Sequence, residues 1–143
     1  MRFTEHFTFE ELTRTDDIDL KEKNIVEGLR IQTKLEKLAK FAEQVRAIIG
    51  CPMIITSGFR CEELNKKVGG SAMSQHRFGE AIDFIPSSIS AFEAFAKIII
   101  SNIEYGQLIL EGRGIGHILH ISMGTKRQKL YQAKAGGKYE NIL

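Results

Sequence analysis

Residues 24–49 carry Ile25, Leu29, Leu35, Leu38, Ala39, Ala42, Val45 and Ile49, largely at helical spacing, and Gly50 supplies the stop. This predicts one long amphipathic helix. Such a helix has to bury its apolar stripe against another layer, so the rest of the chain must supply one. Segments rich in β-formers follow at 52–57, 80–85, 107–111 and 116–122, with a further edge strand expected over 128–133. Residues 107–111 and 116–122 read as a hairpin joined by a glycine-containing turn.

Shorter helices complete the pattern. Thr8 and Glu11 have capping-box spacing, as do Ser90 and Glu93, whose helix is expected to run to about 102. Residues 61–68 read as a helix closed by Gly69 and Gly70, and residues 13–23 and 71–79 as loops. Phe92, Phe95 and Ile99 fall at helical spacing and are expected in the core. The fold class is α+β: a small, mostly antiparallel sheet packed against helices. The chain reads as one domain over 1–143, with a loose tail from about 135. At 143 residues and 43% apolar content it can bury a core without staples.

Composition narrows the function. A net charge of +2 does not provide the strongly basic face that nucleic acid binding needs. No apolar run is long enough to span a bilayer, and no signal peptide is expected, so synthesis in the cytoplasm is the expectation. Cys51 and Cys61 are not a C-x-x-C pair and read as reduced thiols.

The chain holds four histidines, His6, His76, His117 and His120. His76 sits in a polar loop and Asp83 lies seven residues on, within a strand, with Gly79 able to turn the chain between them. Spacing alone leaves two readings open. One is a metal site. The other is a solvated loop histidine with a capping or salt-bridged aspartate. His6 reads as a surface residue and 126–129 as a solvated turn.

The wider pattern resembles a known family. Thr56-Ser57-Gly58-Phe59-Arg60 is followed by Asn65, Val68-Gly69-Gly70-Ser71, then Ser74-Gln75-His76, Gly79, Ala81 and Asp83. This is similar to the S-G-[YF]-R, N-x-x-V-G-G-S and S-x-H-x-x-G-x-A-x-D elements of the zinc D-Ala-D-Ala carboxypeptidase and phage endolysin peptidases. Residues 107–111 and 120–122 resemble that family's closing elements. The N-terminal part and the long helix resemble its small phage-type branch.

The resemblance implies Zn2+ held by His76, Asp83 and His120, with Arg60 facing substrate. Ser57, Ser74 and Gln75 read as substrate-contacting or loop-structuring hydroxyl and amide groups. The family also needs a carboxylate base. Three residues before the last histidine stands His117, which strand alternation turns to the opposite face from His120. Glu111 is then the base that the resemblance implies. Ile118 replaces the aromatic residue usual two positions before that histidine. The implied function is hydrolysis of a peptide-stem amide of bacterial peptidoglycan, by a monomer acting on the cell wall through a phage or prophage release route. The alternative is a zinc-containing module of the same fold that binds cell wall or protein without cutting.

Overall fold

The computed structural model describes residues 1–113 and 116–142. Among them are α1 (Phe9–Leu12), α2 (Lys21–Arg30), α3 (Gln32–Ile49), β1 (Met53–Ser57), α4 (Glu62–Lys67), a 3-10 turn (Gln75–Phe78), β2 (Ala81–Pro86), α5 (Ala91–Ile100), β3 (Gln107–Arg113), β4 (Gly116–Ser122), β5 (Gln128–Gln132) and β6 (Glu140–Asn141). The strands form one sheet in the order β1-β2-β4-β3-β5-β6, and the fold is α+β as expected. Among the described residues no helix is long and apolar enough to cross a membrane.

The chain divides into two compact units. The first comprises residues 1–43 and 55–82. Its core includes Phe7, Phe9, Leu12, Leu35, Leu38, Phe59 and Leu64. Thr8 opens α1 with the expected capping box: its hydroxyl accepts from Glu11 N, and the Glu11 carboxylate accepts from Thr8 N.

The single helix predicted over 24–49 is two, broken at Ile31, and the first begins earlier, at Lys21. The reason lies in what α2 buries. Leu29 is exposed and Ile25 only half-buried; the fully buried positions are Asn24 and Gly28. A Cβ on Gly28 would come within 2.7 Å of Thr13 Cγ2, so glycine lets α2 approach the end of α1 closely. The α2 interface is therefore built from a polar and a glycyl residue, which an apolar count overlooks.

Asn24 organises the segment after β1. Its amide donates to the Thr13 carbonyl (2.8 Å) and the Phe59 carbonyl (3.1 Å), and its oxygen accepts from Cys61 N (2.7 Å). Phe59 N donates to the Leu12 carbonyl at 2.7 Å, and a Cβ on Gly58 would lie 2.4 Å from that same oxygen. Gly58 thus has no room for a side chain.

The second unit comprises residues 44–54 and 83–143. β3 and β4 pair antiparallel from Leu108↔Ile121 to Arg113↔Gly116, giving the expected hairpin; its connecting residues Gly114 and Ile115 lie outside the described residues. β5 pairs parallel with the other side of β3, from Gln107↔Gln128 to Glu111↔Gln132. The tail expected to be loose carries β6, which pairs with β5 through Leu130↔Asn141 and Tyr131↔Glu140. The strand expected at the edge, β5, is therefore flanked on both sides.

Ser90 caps α5 by accepting from Glu93 N. The helix buries Ala91, Ala94, Phe95 and Ile98, so Phe95 is core as expected. Phe92 is 54% exposed and Ile99 only half-buried, because the buried stripe runs one position earlier along the helix, through Ala91, Ala94 and Ile98. The segment read as a solvated turn contains a clamp: Arg127 donates to the carbonyls of Ile103, Ile99 and Ser101 and lies over the Tyr105 ring at 4.8 Å. The guanidinium satisfies carbonyls that α5 leaves open at its C-terminal end. Cys51 and Cys61 are buried free thiols.

Replacing Asn24 by Ala leaves two carbonyls and one N–H without their partners inside the protein. The expected cost is about 3 kcal/mol of unfolding free energy. Ile18→Ala, at a position 88% exposed, should change stability by less than about 0.5 kcal/mol. Urea denaturation of the two variants checks this; equal midpoints would refute the role given to Asn24.

Candidate metal centre

His76 stands on the 3-10 turn and is 2% exposed. Its Nδ1 lies 2.7 Å from the Gly58 carbonyl oxygen. A carbonyl can only accept, so Nδ1 carries the proton and Nε2 keeps its lone pair. This is the backing that metal-bound histidines commonly have. Arg60 N donates to the His76 carbonyl at 3.0 Å, a second tie between the same two segments. Gly79 ends the turn at φ 68, the left-handed conformation expected of it, and a Cβ there would press on Ile31 and Leu35 at 3.0 and 3.1 Å. The turn therefore depends on glycine for both its dihedral and its packing.

Asp83 is half-buried on β2, and His120 is buried on β4. His120 Nδ1 lies 2.9 Å from Asp83 Oδ1. One donor atom from each of His76, Asp83 and His120 falls within 4.8 Å of the others, the one such group among the described residues. Tetrahedral zinc takes imidazole and carboxylate donors at about 2.0–2.2 Å, which sets them roughly 3.3–3.5 Å apart. The donor types match, and the spacing is within reach of small side-chain rotations. The three residues could hold a metal ion.

Glu111 is 5% exposed on β3. Register fixes its face. Ile109 pairs with His120 and Glu111 with Ile118, so Glu111 and His120 occupy diagonal positions on one face of the hairpin. Burial pushes the Glu111 carboxyl up, the Asp83 charge adds to this, and the charges of Arg113 and His120 oppose it. Arg113 Nη2 donates to Glu111 Oε2 at 2.5 Å. Nothing in the sequence pattern pointed to Arg113; the signal available was its i+2 spacing from Glu111 on one strand.

His117 pairs with Gly112, one step out of phase with His120, and so faces the other side. Its ring packs edge-on against Phe92 at 4.6 Å and lies 6.2 Å from the Tyr131 ring. It is absent from the donor group. His6 Nδ1 lies 2.8 Å from Glu43 Oε1, a partnership that the reading of His6 as a plain surface residue missed.

Among the remaining expected site residues, Arg60 is half-buried beside His76 in the backbone pairing just described. Ser57 ends β1 and is half-buried. Ser74 precedes the 3-10 turn, and Gln75 opens it, its carbonyl accepting from Glu80 N at 2.9 Å.

No significant match to this chain is found among curated proteins. Residues 5–119 match the family model described as Peptidase M15. That span contains Arg60, His76, Asp83 and Glu111 and stops one residue before His120. M15 peptidases are zinc-dependent hydrolases, consistent with the donor group. With most of its length matched, the chain belongs to the peptidase M15 family, of the zinc D-Ala-D-Ala carboxypeptidase type.

Proposed function

We propose that the chain is a zinc peptidase that hydrolyses a peptide-stem amide of bacterial peptidoglycan, as a D-Ala-D-Ala carboxypeptidase or a cell-wall endopeptidase. The observation that carries this reading is the His76, Asp83 and His120 donor group with the buried carboxylate of Glu111 on the His120 face. In this reading the three residues are the ligands and zinc supplies the Lewis acidity that peptide hydrolysis needs. Glu111 takes the proton of the attacking water and passes it to the leaving amine. Its raised proton affinity suits the second half of that task, and the Arg113 charge opposes the rise. Arg60 offers a permanent charge and a planar donor fork to a substrate carboxylate or to the developing oxyanion. Ser57, Ser74 and Gln75 line the approach of the peptide. The enzyme works as a monomer on muropeptide or cell wall, reaching it by a phage or prophage release route.

A second reading is a binding module that retains zinc and no longer cuts. The ion pair that engages Glu111 with Arg113 favours it, since a carboxylate held by a guanidinium is a weaker base.

Elemental analysis should find one zinc per chain in protein purified without chelator. His120→Ala should lose most of it, because two protein ligands remain, whereas His117→Ala should keep it. Equal loss in both variants would remove His120 from the ligand set.

Mass spectrometry of a muropeptide digest tests turnover. Glu111→Gln should retain zinc and cleave at least about a hundredfold more slowly than the parent. Full activity in that variant would exclude Glu111 as the base. A zinc-loaded parent that cleaves no muropeptide would favour the binding module.

A further inference from the structure

Register extends the Glu111 face across three strands. β3 and β5 pair Glu111 with Gln132, and partners in a ladder point to the same face. β5 and β6 pair Leu130 with Asn141 and Tyr131 with Glu140, and Tyr139 directly precedes β6 with its side chain beside that of Gln132. Glu111 and Gln132 therefore stand in one row, with His120 diagonal to Glu111 and Tyr139 beside Gln132 at the far end.

Hydrogen bonds hold Gln132 between the strands. Gln132 is buried; its oxygen accepts from Arg113 Nη1 at 3.4 Å and its amide donates to the Gly137 carbonyl at 2.9 Å. That second bond anchors the segment leading to Tyr139. The Tyr139 hydroxyl lies beside the Gln132 side chain and feels the charges of Glu111, Arg113 and Asp83. Partial burial pushes its phenol up, and the Glu111 charge adds to this, so the hydroxyl stays protonated and able to donate. The residue is nevertheless 54% exposed, which leaves its ring open to a ligand.

We infer that Tyr139 is a substrate-binding residue of this site, donating its phenol O–H to a carbonyl or carboxylate oxygen of the peptide that lies along the Glu111 row. The inference rests on the peptidase reading above. It adds a residue from beyond the part of the chain that matches the family model, which ends at 119. Tyr131 supplies an internal control: it pairs with Leu110 on β3 and meets His117 on the opposite face of the sheet.

The test uses a disaccharide-pentapeptide muropeptide. Its binding to metal-free protein is measured by calorimetry, and its cleavage by the zinc-loaded enzyme by chromatography. Tyr139→Phe should weaken binding and raise KM by roughly five- to tenfold, the worth of one hydrogen bond, with zinc content and thermal midpoint unchanged. Tyr131→Phe should leave binding and KM at the parent values. If the parent cleaves the muropeptide and Tyr139→Phe matches it in both binding and KM, the inference is overturned and the peptidase reading stands. If Tyr131→Phe weakens binding as much as Tyr139→Phe, the assignment to the Glu111 face is overturned. A parent that neither binds nor cleaves the muropeptide overturns the peptidase reading and this inference with it.

Discussion

The Asn24 side chain holds three backbone groups at once, the carbonyls of Thr13 and Phe59 and the N–H of Cys61. Through them it fixes the path of residues 58–61, and that path supplies two ties to the 3-10 turn. The Gly58 carbonyl accepts from His76 Nδ1, and Arg60 N donates to the His76 carbonyl. The tautomer of a candidate metal ligand is thus set by a residue that touches neither metal nor substrate. A buried amide is suited to this work, because it offers donors and an acceptor without the desolvation cost of a charge.

The glycines of this region serve the same end. Gly58 leaves room for the Leu12 carbonyl where a Cβ would clash, and Gly79 adopts a left-handed turn that leads from the His76 turn into β2. Gly112 lies so close to the Ala133 carbonyl that a Cβ would meet that oxygen at 1.9 Å, which lets the chain beyond β5 cross the end of β3. At these places the local fold depends on backbone proximity, and the residue type that permits it carries no chemistry of its own.

Much of this was legible in the sequence because it is local. The Thr8 capping box, the Ser90 N-cap, the Gly79 turn and the alternation that separates His117 from His120 follow from short-range rules and are present in the structure, while the capping box expected at Ser90 forms only its first half. The break at Ile31 was not legible, since the stripe that docks α2 is Asn24 and Gly28, and neither is apolar. Arg127 read as solvated because a sequence does not reveal that three carbonyls near the end of α5 converge on it. The neighbours of Glu111 were hidden for a related reason. Arg113 could have been noticed at i+2, but Gln132 and Tyr139 reach it only through a parallel pairing and a further strand, which no periodicity encodes.

β6 is held by two residue pairs and one flanking hydrogen bond, from Ile142 N to the Lys129 carbonyl. The β3–β4 hairpin, on the other side of β5, is closed by six. Local opening free energies follow such differences, so the terminal strand can detach and re-form while the hairpin stays intact. Amide exchange would be fast over the last residues and slow over β3 and β4. The Glu111 row would then fluctuate between a complete and a shortened form within the native state, with the short strand as its adjustable end.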